Sequence, residues 1–205
     1  YYGIATSNPL AVVAAMDKFN DSECGQKTSS SIALMNETFN GDEPSTHTFV
    51  VTYDDAKELN ETLAIVSSCP ESATFLSEMA AVSIPTEQTL VKSVYEKGDW
   101  TNDSAFAVFE LNIKNEEGYL NAYKTFTDAM VEQGQLTGSY GIERVVAGTD
   151  YTHFVFIGGA DVAELMKTLT LLNMENPDFA KFQNAVRRNR SIVRRGIVNP
   201  VKAWE

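Results

Sequence analysis

Apolar and polar positions along the chain predict strands and helices in the same order twice, and the second half has the clearer pattern. Ala105–Ile113 is rich in aromatic and β-branched residues and indicates a strand. Asn115 can cap a helix in which apolar residues recur at helical spacing to about Gln133. Gly148-Thr149-Asp150 predicts a hairpin turn. The remaining elements are two strands, a helix, a short helix and a last strand, predicted at Ser139–Ala147, Thr152–Gly158, Ala160–Met174, from Asn176-Pro177 onward, and at Ser191–Val201.

The first half predicts the same elements from a weaker pattern. Its strands are expected at Tyr2–Thr6, Ser31–Phe39, Thr46–Tyr53 and Thr89–Tyr95, and its helices at Asn8–Phe19, Asp55–Val66 and Pro70–Ala80. Each half therefore follows the order β-α-β-β-α-β, with the second helical segment broken in two. The polar, turn-rich residues 96–104 indicate the connection, which predicts one domain at 1–98 and another at 103–205.

The two halves also resemble each other in sequence. Residues 46–66 and 152–172 align without a gap at an offset of 106, with seven identities in 21 positions. Among the identities are the pairs Thr46/Thr152 and His47/His153. This period is too long for a solenoid unit and has the size of a small domain. We therefore expect an internal duplication, in which two complete folds pack with pseudo-twofold symmetry.

The element order is the ferredoxin-like split β-α-β arrangement, and two copies in one chain resemble the dimeric α/β-barrel superfamily with its homodimer fused. The resemblance covers nearly all of the chain and rests on element order and duplication. It implies an α+β fold in which each half has an antiparallel sheet with helices on one face. It also implies that the uncovered sheet faces meet as a pseudo-twofold barrel, because each bare face needs cover. Pockets in this superfamily usually lie between sheet and helices or within the barrel.

Charge and composition remove several classes of function. The net charge of −12 argues against sequence-independent binding of nucleic acid, which needs a surplus of basic residues. Apolar runs are only a few residues long, so no segment is expected to span a membrane. Five of the six arginines lie between Arg187 and Arg195. They indicate either an anion site or, as the favoured interpretation, a solvated helix end that leads into a charged edge strand.

The two cysteines bear on the compartment. Cys24 and Cys69 could form one disulfide in an oxidising compartment, and two unrelated buried thiols are an equally weighted alternative. The chain begins at Tyr1 without a methionine, which fits either a removed signal peptide or an arbitrary boundary. An extracytoplasmic location, periplasmic or secreted, is the first expectation, and a cytoplasmic one is the alternative.

The two histidines, His47 and His153, are the first candidates for catalysis, because an imidazole titrates near neutral pH. Each has an acidic residue on the preceding strand, Glu37 and Glu143, which a hairpin would bring near it. A tight turn would instead place Arg144 opposite His153. The favoured interpretation is structural, with both rings hydrogen-bonded at a strand end. A His–Glu general base is the functional alternative.

No cofactor or metal is predicted. A metal site would need both histidines near a pseudo-twofold axis or extra carboxylates, and histidines on strands are poorly placed as haem ligands. The second half is rich in rings, which are expected to form core or to line an apolar pocket. These are Tyr119, Tyr123, Tyr140, Phe126, Phe154, Phe156, Phe179 and Phe182.

Two functions fit these features. The first is a protein that handles a small apolar or aromatic molecule in a barrel pocket, in the manner of a cofactor-independent oxygenase or isomerase. The alternative is an exported, non-enzymatic ligand-binding or interaction scaffold. The expected partner is a small-molecule ligand or substrate, and the superfamily leaves a homo-oligomer open. Fold alone does not choose between these functions.

Overall fold

A computed structural model describes residues 1–204, which form nine strands and six α-helices. The chain is α+β, as predicted, and divides into two compact units. Unit 1 contains residues 1–37 and 42–88 together with the segment from Pro200 onward. Unit 2 contains residues 38–41 and 89–199. None of the helices within the described range combines the length and the apolar character that crossing a membrane requires.

Unit 1 is built on an antiparallel sheet with the strand order β4-β1-β3-β2. Its strands are β1 (Tyr2–Ala5), β2 (Ser31–Phe39, whose last two residues belong to unit 2), β3 (His47–Thr52) and β4 (Ile84–Gln88). Its helices are α1 (Pro9–Asn20), α2 (Ala56–Ser68) and α3 (Pro70–Val82).

Unit 2 is also built on an antiparallel sheet, with the strand order β9-β6-β8-β7-β5. Its strands are β5 (Leu90–Lys97), β6 (Ala105–Ile113), β7 (Tyr140–Ala147), β8 (His153–Gly159) and β9 (Arg190–Trp204, which ends in unit 1). Its helices are α4 (Glu116–Glu132), α5 (Val162–Thr170) and α6 (Pro177–Val186).

Side-chain caps start most of the helices at the predicted places. The carboxamide of Asn115 accepts a hydrogen bond from the backbone N–H of Gly118, and Asn176 accepts from Asp178 and Phe179. Pro9, Pro70 and Pro177 occupy first turns, where proline has no hydrogen bond to lose. These local signals explain why the sequence places helix starts well.

The cores of the two units use a corresponding aromatic pair. In unit 1 the ring centroids of Phe19 and Phe75 are 4.9 Å apart, and in unit 2 those of Phe126 and Phe182 are 5.1 Å apart. Both pairs are stacked and join the first helix of the unit to its last. The two units therefore make this ring contact between corresponding helices.

The last strand of each half departs from the predicted pattern. Ile84–Gln88 forms an additional strand, β4, which pairs with β1. Its sequence, IPTEQ, is short and contains a proline, so it lacks a clear alternating pattern. The strand expected at Thr89–Tyr95 is β5, which pairs with β7 in unit 2. The compact units therefore divide the chain differently from the ranges 1–98 and 103–205, because all of β5 lies in unit 2 and the end of β9 lies in unit 1.

A disulfide joins Cys24 to Cys69 in unit 1, with the two Cα atoms 6.3 Å apart. It connects the turn after α1 to the junction of α2 and α3. Of the two alternatives for these residues, the structure shows the bridged one. The bridge closes a loop across 45 residues of sequence, which limits the freedom of the unfolded chain.

Replacing both cysteines by serine should lower the free energy of unfolding by about 2–4 kcal/mol, because the unfolded chain regains loop entropy. Chemical denaturation of the wild type and of Cys24→Ser/Cys69→Ser measures this loss. A reductant should destabilise the wild type to the same extent and leave the double variant unchanged. Equal stability of both proteins, with two titratable thiols in the wild type, would contradict the bridge.

Candidate functional site

Both histidines are buried and held by the threonine that precedes them. The Nδ1 atom of His47 lies 3.0 Å from Thr46 Oγ1, and that of His153 lies 2.8 Å from Thr152 Oγ1. The hydroxyl of Thr46 also accepts a 2.9 Å hydrogen bond from the backbone N–H of Thr6, the residue after β1. The hydroxyl of Thr152 accepts one of the same length from the backbone N–H of Ile113 in β6. The same hydrogen bonds thus occur in both units, as the structural interpretation of the histidines expects.

Burial lowers the pKa of His47 below its usual value of about 6.5, since desolvation penalises the imidazolium form. His47 is therefore neutral near pH 7. Its opposite neighbour across the β2–β3 pair is Asn36, whereas Glu37 accepts a 2.7 Å hydrogen bond from Thr48. Adjacent strand residues point to opposite faces, so Glu37 does not face the His47 ring.

His153 has an acidic partner, but it is Glu116 and not Glu143. The Nε2 atom of His153 lies 2.9 Å from Glu116 Oε2, and Arg144 forms an ion pair with the same carboxylate. In the β7–β8 hairpin, Arg144 stands opposite His153 and Glu143 opposite Phe154. The expected pairs His153–Glu143 and His47–Glu37 are therefore not formed, and catalysis by these four residues stays a prediction.

Glu116 was not among the predicted site residues because it lies on a helix, 37 residues before the histidine. The sequence marks it only as an acidic residue in the first turn of α4. Hydrogen bonds from Arg144, and then from His153, lower the pKa of Glu116 to about 2. The three side chains form a charged cluster that ties the start of α4 to the β7–β8 hairpin.

A cavity of about 520 Å³ lies between the sheet of unit 2 and its helices. Aromatic rings form its helical wall, and aliphatic side chains of β6, β8 and β9 form its floor. Five of the eight rings singled out in the sequence line it: Tyr119, Tyr123, Phe126, Phe179 and Phe182. Of the described residues that line the cavity, none is a histidine.

The register of β9 decides which of its residues reach this cavity. Opposite β6, the pairing skips Val193, so Glu110 pairs with Arg194 and Leu111 with Ile192. This bulge reverses the alternation of side chains beyond it. As a result Arg190 and Ile192, before the bulge, and Arg195 and Ile197, after it, all line the cavity.

Arg194 takes the opposite face of β9 because of the same bulge. Its Nε atom donates a 2.9 Å hydrogen bond to Glu110, which is buried. Without the extra residue, Arg194 would continue the cavity-facing series and Arg195 would leave it. The arginine-rich segment of the sequence therefore supplies both a buried ion pair and two cations in a cavity wall. The favoured interpretation, a solvated helix end and edge strand, describes Arg187 and Arg188 but not Arg190.

The polar groups of the cavity are few and sit among rings. Tyr119 is buried and stacks on Tyr123, with ring centroids 6.2 Å apart. Burial raises the pKa of Tyr119 to about 12, and the positive charge of Arg190 opposes part of this rise. Burial also raises the pKa of Tyr123 well above its usual range. Both phenols are therefore protonated at neutral pH, and the hydroxyl of Tyr123 donates a 3.5 Å hydrogen bond to the carbonyl oxygen of Phe156.

Arg190 is oriented by an aromatic side chain in the same wall. The centre of its guanidinium lies 5.3 Å from the ring centroid of Phe182, a cation–π distance. Arg195 occupies a more exposed place along the same strand. The arrangement is an apolar, ring-lined space with two phenols and two guanidinium groups at its boundary, which suits a planar apolar molecule.

Solved structures share this fold over nearly the whole chain. An anthrone oxidase-like protein superposes with a TM-score of 0.59 at 8% identity, covering 99% of this chain and 91% of that chain. A candidate monooxygenase from Lactobacillus acidophilus gives 0.56 at 8% identity, with 98% and 90% covered. A heme-binding protein from Thermus thermophilus gives 0.53 at 9% identity, with 98% and 89% covered.

At sequence identities of 8–9%, these comparisons show that the folds are alike and no more. The chain is similar in fold to ferredoxin-like proteins of the dimeric α+β-barrel class, and the three structures are named for a monooxygenase, an anthrone oxidase-like protein and a heme-binding protein. No protein-family model and no curated protein sequence matches the chain.

Glu116→Gln should destabilise the protein by about 1 kcal/mol at neutral pH, because the glutamine loses the ion pair with Arg144. The pKa of Glu116 is about 2 in the folded protein and 4.5 in an ordinary glutamate, so the carboxylate is ionised in both the folded and the unfolded chain above about pH 5. The stabilisation is therefore complete above that pH. It should disappear as the pH falls from 5 towards 2. Urea unfolding of wild type and variant at a series of pH values measures the difference.

The control is Glu117→Gln, which removes an exposed carboxylate from the same helical turn. It should change stability by less than the Glu116 variant at every pH. A constant difference between wild type and Glu116→Gln down to pH 3 would show that the carboxylate is not stabilised by its neighbours.

Proposed function

We propose that the protein binds a small apolar or aromatic molecule in the cavity of unit 2. The observation that carries this proposal is the 520 Å³ space between sheet and helices, lined by seven aromatic side chains. Its volume lies in the range of ordinary ligand pockets, about 300–1,000 Å³. The comparisons support the proposal at the level of fold, because structures of the same class carry the names of proteins that act on or bind small molecules.

Binding would draw on the apolar wall and on the phenols. A planar molecule would stack against the rings of Phe126, Phe179 and Phe182, and burial of its apolar surface would supply most of the affinity. Tyr119, protonated at neutral pH, would donate a hydrogen bond to an oxygen of the ligand, whereas the hydroxyl of Tyr123 donates to the carbonyl oxygen of Phe156. The exported interaction scaffold, the alternative function from the sequence, has no comparable feature in its favour.

Haem is a poor fit for this cavity. The described residues that line it include no histidine, cysteine or methionine, the usual axial ligands of haem iron. A tyrosine ligand would have to lose its proton, and burial raises the pKa of Tyr119 to about 12. We therefore assign no step to a haem group.

The chemistry we propose for the bound molecule is oxidation by dioxygen without a bound cofactor. A keto-substituted polycyclic compound such as anthrone loses a proton from its CH2 carbon to water and forms a resonance-stabilised anion. That carbon then bonds to dioxygen, the resulting peroxide anion takes a proton from water, and loss of water from the hydroperoxide leaves a second ketone. The phenol of Tyr119, in the cavity wall, would stabilise the first anion by donating a hydrogen bond to its oxygen. Anthrone is the first substrate to test, given the anthrone oxidase-like protein of similar fold. Dioxygen uptake in its presence should exceed the uncatalysed rate.

We also propose that the chain arose by duplication, and the pseudo-twofold barrel stays a prediction from the sequence. The matching threonine–histidine hydrogen bonds and the matching phenylalanine pairs in the two units support a duplication. An extracytoplasmic location would agree with the disulfide, which persists in oxidising compartments. Association into a homo-oligomer stays a prediction.

Filling the cavity should abolish binding. Ala107 lines the floor of the cavity, between its neighbours Ile157 and Ile197 on the adjacent strands. Ala107→Phe should place a ring in the space and weaken the binding of the neutral fluorescent probe phenylnaphthylamine by at least about tenfold. Fluorescence titration measures the affinity, and circular dichroism with thermal melting checks the fold.

The matched control is Ala147→Phe, the same substitution at an exposed strand position outside the cavity. It should bind the probe like the wild type. Equal binding by wild type and a folded Ala107→Phe would place the probe elsewhere and contradict the proposed site. Native mass spectrometry of the purified protein would then show whether any small molecule accompanies it.

A further inference from the structure

Arg190 is a cation in the ring-lined wall of the cavity. It is partly buried, it stacks on Phe182, and its charge is felt by the buried phenol of Tyr119. Within residues 1–204, Arg190 has no ion pair with a carboxylate, whereas the nearby Arg194 pairs with Glu110. The bulge at Val193 thus lies between Arg194, which is paired with a carboxylate, and Arg190, which is not.

The surroundings of Arg190 favour an anion over a neutral group. A partly desolvated cation is stabilised when an anion replaces the water that it has lost. The guanidinium is planar, and its stacking on Phe182 holds its orientation before any ligand arrives. Its N–H groups can therefore form paired hydrogen bonds to one carboxylate or to one ionised oxygen.

Arg195 does not share this position. In the β6–β9 pairing, Arg190 lies opposite Ile113 and Arg195 lies opposite Phe109. Because Ile113 and Phe109 are four residues apart on β6, the Cα atoms of the two arginines are about 13 Å apart along the strand. Arg195 is also exposed, and solvent weakens its interaction with any anion. Arg190 is accordingly the residue that can bind a charged group inside the cavity.

We propose that the ligand of this cavity is a planar apolar molecule that carries one anionic oxygen group, and that Arg190 binds this group. The inference rests on the proposed function and adds the class of ligand to it. A carboxylate and an ionised enol or phenol share the required chemistry, and an aromatic carboxylic acid is the simplest compound with both features.

Two dyes with nearly the same rings test the anion preference. Anilinonaphthalene sulfonate carries a negative charge, and phenylnaphthylamine is its neutral counterpart. Arg190→Gln should lower the affinity for the sulfonate dye by at least about tenfold, the value expected for a lost hydrogen bond to a charged group. The same variant should change the affinity for the neutral dye by less than about threefold. Arg190→Lys, which keeps the charge, should retain most of the preference.

Arg188→Gln is the charge-matched control, since Arg188 is exposed and lies outside the cavity wall. It should behave like the wild type with both dyes, and Arg195→Gln should have a smaller effect than Arg190→Gln. If Arg190→Gln lowers the affinity for both dyes equally, or for neither, Arg190 does not bind the anionic group. The cavity would remain a binding site in either case. If Ala107→Phe affects neither dye in the wild-type background, the proposed function itself fails.

Discussion

The alternation of side chains between the two faces of a β-strand is the constraint on which the candidate site depends. It separates Glu37 from His47 and Glu143 from His153, since each pair differs by one residue in register. In β9 the bulge at Val193 reverses the alternation, so that residues on both sides of it face the same cavity. A single inserted residue thus makes one wall of the site and sends Arg194 to pair with Glu110.

Two arginine–glutamate ion pairs of unit 2 lie in different places, and only Glu110 in the pair with Arg194 is buried. Glu116 joins Arg144 and His153 at the end of the β7–β8 hairpin, where it fixes the start of α4. That helix carries Tyr119 and Tyr123 into the cavity wall. The charged cluster is therefore a positioning element for the rings, although no residue of it lines the cavity. Its contribution to a binding site is to hold one wall at a fixed angle to the sheet.

Local signals in the sequence were sufficient for much of the fold and for part of the site. Asn115 and Asn176 cap the helices that the pattern predicted, and Ser31–Phe39 and Ala105–Ile113 are strands with the predicted bounds. Five rings of the cavity wall were named as candidates for a pocket. The partner of His153 could not be found this way, because Glu116 reaches it across 37 residues and through tertiary packing. Likewise, no local pattern distinguishes Arg195 from Arg194 until the bulge is known.

The exchange of last strands has a consequence for how the chain folds. Trp204 packs against Phe49 in unit 1, and its indole N–H donates to Asp17, a residue 187 positions earlier. Unit 1 therefore stays incomplete on the ribosome until the end of the described sequence has emerged. Such distant contacts slow folding and prolong the exposure of unpaired strand edges.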